Sequence, residues 1–174
     1  MHATYDVIVI GAGFAGLYML HKLRSYGYNA LILERAPSIG GTWYWNKYPG
    51  ARCDTESLQY SYQFSEELQQ EWEWTEKYAR QPEILNYLNH VADRFKLHAH
   101  IKLNFDVRNI IYKNSIWEIS GKDKVKIYAN FCIMATGCLS QPLNAKIPGL
   151  DDFEGEQYQS SLSFYFLLVV MRVS

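Results

Sequence analysis

Cysteine is scarce in this chain of 174 residues, which contains only Cys53, Cys132 and Cys138. An odd number of cysteines without a C-x-x-C pair argues against a disulfide framework and against a zinc site. The five histidines add no metal-ligand spacing, because His98 and His100 lie two residues apart in a predicted loop. We therefore expect no metal and a cytoplasmic location, since free thiols are typical of a reducing compartment.

An excess of charge of either sign is also absent, because 17 basic and 18 acidic residues leave a formal net charge of −1. The charges are scattered, so no basic patch indicates nucleic-acid binding. The apolar runs at 7–20 and 164–171 are shorter than the roughly 20 residues that a transmembrane helix needs. The first run contains three glycines and follows Asp6, which predicts a strand, a turn and a helix rather than an export signal.

A glycine-rich turn joins two periodic segments near the start of the chain. Residues 5–10 have the pattern of a buried strand, residues 14–26 that of a helix, and residues 30–33 that of a second buried strand. Between the first strand and the helix lies GAGFAG at 11–16, which matches G-x-G-x-x-G. In this strand–turn–helix–strand context the motif predicts a dinucleotide-binding unit.

Each fixed position of the motif has a physical reason. Gly11 permits the tight turn, Gly13 lets a pyrophosphate approach the backbone, and Gly16 lets the helix pack closely on the strand. The carboxylate of Glu34, at the end of the second strand, can accept hydrogen bonds from both ribose hydroxyls. Its charge would repel a 2′-phosphate, so NADP is a poor ligand here. This unit alone leaves FAD and NAD equally open.

The middle of the chain predicts two helices and a sheet. Residues 65–80 have a helical composition with Ser65 as the cap, and a helix with an apolar face follows from Pro82. Residues 101–105 alternate in polarity, and three further segments predict an antiparallel meander: 107–112, 115–119 and 124–128. Residues 131–137 form a separate apolar segment that is typical of a central parallel strand. Thr136 and Gly137 would then lie at its carboxyl end, where such sheets bind ligands.

The stretch GGTWYWNKYPGARCD at 40–54 places four aromatic rings beside a glycine turn and an aspartate. It resembles the [AG]-G-x-W-x4-[FY]-P-[GM]-x3-D pattern of Baeyer–Villiger monooxygenases at every fixed position. The likeness extends over roughly residues 5–155, and the aromatic stretch favours this family over the related N- and S-oxidising flavin-containing monooxygenases. The resemblance implies an α/β fold: a Rossmann-like FAD-binding domain of the two-dinucleotide-binding flavoprotein type, with an inserted β-meander.

The resemblance also implies a function and a site. Members use NADPH, FAD and oxygen to convert ketones to esters or lactones. Val107 would hold the adenine by its backbone, and Asp54 would assist catalysis by positioning a cationic arginine that lies further along the family's chains. The complete set of implied cofactor-binding residues is Gly11, Gly13, Ala15, Gly16, Glu34, Gly41, Thr42, Trp43, Trp45, Arg52, Cys53, Asp54, Tyr60, Val107, Thr136 and Gly137.

The pattern breaks near the end of the chain. The family's second signature, F-x-G-x3-H-x3-W-P, matches at Phe153 and Gly155, but Gln159 stands at the histidine position. No second G-x-G-x-x-G follows. We therefore expect a truncated FAD-binding domain at 1–159, followed by an aberrant apolar tail at 160–174. This chain alone would be inactive as an enzyme. A non-catalytic FAD-binding fragment and a dinucleotide-dependent dehydrogenase of another kind remain the alternatives, although the aromatic stretch argues against the dehydrogenase.

Overall fold

A computed structural model describes residues 4–139 and 146–156 of the chain. It begins with strand β1 (Tyr5–Ile10), helix α1 (Phe14–Ser25) and strand β2 (Ala30–Leu33). Strands β1 and β2 are parallel, with Val7 beside Ala30. The predicted strand–helix–strand unit is therefore confirmed.

Three helices follow: α2 (Thr42–Trp45), α3 (Glu66–Glu71) and α4 (Gln81–Arg94). The Ser65 hydroxyl caps α3 by accepting a hydrogen bond from the Leu68 N–H, as predicted. The predicted extent of this helix, 65–80, is wrong because α3 ends at Glu71.

The residues after α3 are not helical, because their backbone bonds to a distant segment. Ser57 donates its N–H to the carbonyl of Lys77, Cys53 to that of Ala79, and Gln81 to that of Ala51. A helix over the same residues would lose these contacts with residues 51–57. This long-range pairing overrides the helical composition of residues 72–80.

The remaining strands are β3 (Ile101–Lys102), β4 (Val107–Lys113), β5 (Ile116–Gly121) and β6 (Lys126–Met134). The described strands form a sheet in the order β3-β2-β1-β6-β5-β4. The antiparallel meander of β4, β5 and β6 is confirmed. The alternating segment 101–105 contributes only a two-residue strand, and Asn104 has a left-handed φ of 56°.

The predicted parallel strand at 131–137 is confirmed for residues 131–134, but it is not separate from the predicted strand at 124–128, because β6 is one continuous strand. Its first half pairs antiparallel with β5, and its second half pairs parallel with β1. Ala129 belongs to both pairings, since it lies opposite Trp117 and opposite Tyr5. One strand therefore carries the chain from the meander into the centre of the parallel sheet.

The parallel half of β6 is less buried than its apolar sequence predicts. Phe131 is 63% exposed and Met134 is 59% exposed. Within the described strands, β5 runs beside β6 only as far as Ala129, so residues 131–134 have a strand neighbour on the β1 side alone.

Two apolar clusters cover the two faces of β1. Val7 and Val9 pack in a cluster with residues of α1 and α4, including Leu17 and Leu88. On the other face, Ile8 and Ile10 pack with residues of the meander, including Ile119, Ile127 and Ala129. Because both faces are buried, β1 reads as a continuous apolar run. The carboxyl ends of β1, β2 and β6 are left at one edge of this core.

None of the helices in the described ranges is long and apolar enough to cross a bilayer. The same ranges contain no group of three histidine, cysteine or acidic side chains that could hold a metal ion. The predicted tail at 160–174, and with it the predicted boundary after residue 159, lies outside the described residues.

Candidate cofactor-binding site

A cavity of about 880 Å³ lies at the carboxyl ends of β1, β2 and β6. Twelve residues of the predicted site line it: Gly11, Gly13, Ala15, Glu34, Gly41, Thr42, Trp43, Trp45, Tyr60, Val107, Thr136 and Gly137. The other four predicted residues, Gly16, Arg52, Cys53 and Asp54, do not line it. The structure therefore brings together most of a site whose members are scattered over more than 120 positions of the sequence.

The first and last glycines of the motif allow the backbone segments at one end of the cavity to pack closely together. Gly11 has a φ of +104°, and a Cβ there would lie 2.6 Å from the carbonyl oxygen of Ala135. A Cβ at Gly16 would lie 1.9 Å from the carbonyl oxygen of Gly11, so α1 packs against the turn at a distance that no side chain permits. Gly16 thus permits this close packing of α1 without lining the cavity itself.

Gly13 lines the cavity and differs from Gly11 and Gly16, because a side chain there would not overlap any neighbouring atom. A Cβ there would meet nothing closer than the Cα of Gly41, at 3.5 Å. The turns at Gly13 and Gly41 are held together by a hydrogen bond from the Gly40 N–H to the Ala12 carbonyl. Gly13 also precedes α1, whose first N–H groups have no partner within the helix and can bind an anion.

Glu34 is buried at the end of β2, with 5% of its surface exposed. One carboxylate oxygen accepts a hydrogen bond from the Ala12 N–H at 2.7 Å, and the other accepts one from the Ala36 N–H at 2.8 Å. Each oxygen keeps a second lone pair for a ribose hydroxyl. The sequence predicted the ribose contact only, and the structure adds that this carboxylate fastens the glycine turn to the end of β2.

Aromatic rings form another part of the wall. The Trp43 Nε1–H donates to the Tyr60 hydroxyl at 3.0 Å, and the two rings are nearly perpendicular, at 81°. Phe14 meets Tyr60 edge to face, with 4.9 Å between the ring centroids. Burial raises the pKa of Tyr60, while the hydrogen bond from Trp43 opposes the shift. Tyr60 is therefore a neutral phenol at physiological pH.

Two further aromatic side chains, Tyr62 and Tyr87, hold this wall in place through hydrogen bonds. The Tyr62 hydroxyl donates to the carbonyl of Phe14 at 2.6 Å, and the Tyr62 N–H donates to the Tyr87 hydroxyl at 2.9 Å. Burial raises the pKa of Tyr62 well above its ordinary value, so it remains a donor. The start of α1 is thereby tied to the segment that carries Tyr60.

Arg52, Cys53 and Asp54, predicted to lie where flavin and nicotinamide meet, are not among the residues that line the cavity. Arg52 and Asp54 are exposed and Cys53 is buried. The Arg52 guanidinium donates to the carboxylate of Glu76 and to the carbonyl of Tyr78. Asp54 is near enough to Tyr60 for its charge to contribute to the raised pKa of that phenol. The predicted role of these three residues stays a prediction.

The cavity also has lining residues that were not predicted from the sequence, among them Phe14, Arg35, Asp106 and Arg108. Phe14 occupies a variable position of the glycine motif, where no side chain is specified. The other three are adjacent in sequence to predicted residues, Arg35 to Glu34 and the other two to Val107. Adjacency was the one signal that could have found them.

The strand order, the glycine cradle and the buried acid together define a Rossmann-like dinucleotide-binding domain. The chain belongs to the pyridine nucleotide-disulphide oxidoreductase family, whose sequence profile matches residues 8–167.

Several curated relatives are monooxygenases. The phenazine N-monooxygenase of Lysobacter antibioticus is 43% identical over 155 residues, which cover 87% of this chain. The acetone monooxygenase (methyl acetate-forming) of Gordonia sp. (strain TY-5) is 41% identical over 155 residues, covering 88%. A Baeyer–Villiger monooxygenase of Pseudooceanicola batsensis is 42% identical over 156 residues, also covering 88%. The chain spans 29% of the length of each of these relatives.

Solved structures agree with the sequence relatives. An oxidised steroid monooxygenase bound to NADP matches with a TM-score of 0.81 and 47% identity, over 90% of this chain and 30% of that chain. The complex of OTEMO with FAD and NADP matches with a TM-score of 0.84 and 39% identity, over 92% of this chain and 31% of that chain. The predicted fold and the predicted resemblance to part of the Baeyer–Villiger monooxygenases are confirmed.

Proposed function

We propose that the chain is the FAD-binding portion of an NADPH- and oxygen-dependent monooxygenase that converts ketones to esters or lactones. The observation that carries this proposal is the cavity itself. It joins a side-chain-free phosphate cradle at Gly13 and an acid at Glu34 to an aromatic wall built around Trp43 and Tyr60. The relatives named as acetone and Baeyer–Villiger monooxygenases support the ketone as substrate.

The residues present fit the chemistry of FAD. The open backbone at Gly13 and the first N–H groups of α1 suit a pyrophosphate, and the Glu34 carboxylate suits the hydroxyls of a ribose. Val107 and Thr136 line the same cavity and complete its wall. FAD supplies the redox chemistry that activates oxygen when it is bound.

The chain's own contribution to that chemistry is to bind the cofactor and to exclude water. Trp43 is buried, and its hydrogen bond to the Tyr60 hydroxyl satisfies the indole N–H within the wall. Gln81, which begins α4, donates to the Trp43 carbonyl and holds that residue in place. A fixed apolar wall strengthens electrostatic interactions inside the cavity and limits side reactions with water.

A second candidate is oxygen transfer to a nitrogen atom. The phenazine N-monooxygenase of L. antibioticus, at 43% identity, favours it as much as any ketone-oxidising relative favours the first. The described cavity is the same for both, because it accounts for the cofactor and not for the substrate. Product analysis with a cyclic ketone and with a phenazine separates the two.

NADPH, a small ketone and oxygen are accordingly the partners that we propose, in the cytoplasm. The cysteines support that location: buried Cys53, half-buried Cys132 and exposed Cys138 are all free thiols. Free thiols persist most readily in a reducing compartment.

The proposed cofactor site is tested by adding one methyl group. Gly13 has a φ of −84° and a ψ of −167°, which any residue can adopt, and a Cβ there meets only ordinary contacts. Gly13→Ala should therefore fold like the wild type, as judged by circular dichroism and thermal unfolding. Its methyl group would occupy the space that a pyrophosphate needs, so we expect the Kd for FAD to rise at least about tenfold.

Gly27→Ala is the matched control, because a Cβ at Gly27 would meet nothing within 4 Å. Gly27 has a φ of +82°, so this variant should lose roughly 1 kcal/mol of stability while its Kd for FAD stays unchanged. If Gly13→Ala binds FAD as tightly as the wild type, the cradle does not hold the phosphates. If the wild type shows no saturable FAD binding, the proposed function itself is refuted.

A further inference from the structure

The wall of the cavity follows the order of the chemical groups in a dinucleotide. Gly13 offers the phosphate cradle, and Glu34 lies beside it because its carboxylate accepts the Ala12 N–H. The aromatic wall begins on the other side of Gly13, where a Cβ would lie 3.5 Å from the Cα of Gly41. Adenine is attached to the ribose on the side away from the phosphates. The base therefore belongs next to Glu34 and away from the aromatic wall.

Four consecutive residues that line the cavity, 105–108, lie at that position. The Phe105 N–H donates to the Glu34 carbonyl at 2.8 Å, which places this segment beside the ribose acceptor. The side chain of Val107 packs against the apolar cluster on the meander side of β1. The polar side chains that this segment offers to a base therefore come from the residues on either side of Val107.

The strand pairing is irregular at Arg108. Val107 lies opposite Gly121, but Asn109 lies opposite the preceding residue of β5, so β4 takes two steps where β5 takes one. A β-bulge of this kind turns a side chain out of the regular alternation, and bulges are frequent beside binding sites. The Arg108 guanidinium also forms an ion pair with Asp106, two residues earlier. The bulge and the ion pair together set the direction of the Arg108 side chain.

We propose that Arg108, held by Asp106, stacks on the adenine ring of the bound dinucleotide. This rests on the proposed function, because it assumes that FAD occupies the cavity. A guanidinium is planar: it donates hydrogen bonds within its plane, and its faces stack on flat rings. The Arg108 side chain is 57% exposed while it is paired with Asp106, so a ring has room to cover it.

The ion pair distinguishes this role from phosphate binding. Asp106 balances the charge of Arg108, and its carboxylate would repel a phosphate bound beside it. An uncharged base meets no such repulsion. The contribution of Arg108 should therefore depend little on ionic strength, whereas a phosphate contact would weaken as salt shortens the Debye length.

The test compares Arg108→Ala and Arg108→Lys with the wild type by titration with FAD, at about 20 mM and about 500 mM sodium chloride. We expect Arg108→Ala to raise the Kd about fivefold at both salt concentrations, the loss expected for an exposed cation–π contact. Arg108→Lys should recover little of the affinity, because it keeps the charge and loses the planar group. Lys113→Ala is the matched control, because Lys113 is an exposed cation at the other end of β4. Its Kd should equal that of the wild type.

A smaller ligand and a second variant locate the effect. ADP keeps the adenine and lacks the flavin, so Arg108→Ala should weaken its binding by the same factor as that of FAD. Asp106→Asn removes the charged partner of Arg108 and should also raise the Kd for FAD. In the Arg108→Ala background the same change should have no effect, because Asp106 then has no guanidinium to hold. A purely structural role of Asp106 would raise the Kd in both backgrounds.

The outcomes separate this inference from the proposed function. If the wild type does not bind FAD, the proposed function fails and the inference fails with it. If the wild type binds FAD and Arg108→Ala shows the same Kd, only the inference is overturned. A loss of affinity that vanishes at high salt, or that Arg108→Lys fully restores, overturns it as well, because Arg108 then contacts a phosphate. A loss for FAD without a loss for ADP places the contact in the flavin half and also overturns it. Should Arg108→Ala fold poorly, Arg108→Lys decides, since a wild-type Kd in that variant shows that the planar group is not needed.

Discussion

Replacing Glu34 by glutamine should destabilise the protein even when no cofactor is added. Both carboxylate oxygens accept hydrogen bonds from buried backbone N–H groups, those of Ala12 and Ala36. A glutamine of nearly the same shape can accept only one of them, and its NH₂ group then faces a second donor. One buried N–H therefore loses its acceptor, and the remaining hydrogen bond loses the assistance of the negative charge.

The magnitude follows from these two losses. An unsatisfied buried donor costs about 1–3 kcal/mol, and the change from a charged to a neutral acceptor costs about 1 kcal/mol more. The sum, roughly 2–4 kcal/mol, is a large part of the 5–15 kcal/mol that stabilises a typical domain. For a chain of this length it corresponds to a fall in Tm of about 4–15 °C. Glu34→Ala would remove both acceptors and is the less useful variant, because it risks unfolding the chain.

The assay is urea and thermal unfolding of the FAD-free chain, with Glu73→Gln as the control. Glu73 is exposed and undergoes the same chemical change, so its stability should stay within about 0.5 kcal/mol of the wild type. Titration with FAD gives a second readout, in which Glu34→Gln should bind about 1–3 kcal/mol more weakly. Equal unfolding free energies for the two variants would refute the assigned fastening of the glycine turn by Glu34.

Three other perturbations test separate parts of the structure. Ser65→Ala removes the side-chain cap of α3 and should cost about 1 kcal/mol in urea unfolding; an unchanged midpoint would show that the cap contributes nothing. Burial between Phe64 and Phe95 lowers the pKa of His21, and the charge of Lys22 lowers it further. Because the unfolded chain then binds the proton more readily than the folded one, the neutral His21 side chain stabilises the fold above pH 6.5, and this contribution is lost as the pH falls. His21→Phe should therefore flatten the decrease in Tm between pH 7 and pH 5, and an identical pH profile would contradict this. The 174-residue chain with FAD, NADPH and oxygen should form no lactone from cyclohexanone above the rate with free FAD, and a clearly higher rate would show that these residues suffice for catalysis.

The strand–helix–strand unit could be predicted because its signals are local. Gly16 is required by its close approach to the Gly11 carbonyl within the turn itself, and Glu34 follows the second strand directly. The continuous apolar runs of β1 and β2 indicate that both faces of these strands are buried. This part of the fold can therefore be predicted without knowledge of contacts between segments that are distant in the sequence.

The errors arose where distant segments decide the structure. Residues 72–80 have a helical composition, but their backbone hydrogen bonds go to residues 51–57. The sequence predicted two strands where the structure has β6, and only the pairing of Ala129 with both neighbouring strands shows that β6 is continuous. Neither the pairing of residues 72–80 with residues 51–57 nor the double pairing of Ala129 produces a periodic pattern in the sequence.

The candidate site divides in the same way. The phosphate cradle was predictable because a motif specifies its glycines, whereas Phe14 occupies an unspecified position of that motif. Tyr62 was not predicted because its hydroxyl contacts a carbonyl that lies 48 residues earlier in the chain. Arg52 and Asp54 were predicted from their place in a pattern, and neither of them lines the cavity.

The division has a physical meaning for the proposed function. At the phosphate end, the contacts come from backbone groups and from buried Glu34, which are fixed before any ligand arrives. At the aromatic end, Trp43 and Tyr60 are equally fixed, but the Arg52–Asp54 segment beside them is largely exposed. Preorganised groups contribute most to binding, and exposed charges contribute little until a partner excludes water from them. We therefore expect the preorganised groups at the phosphate end to contribute more to cofactor binding than the exposed side chains of Arg52 and Asp54.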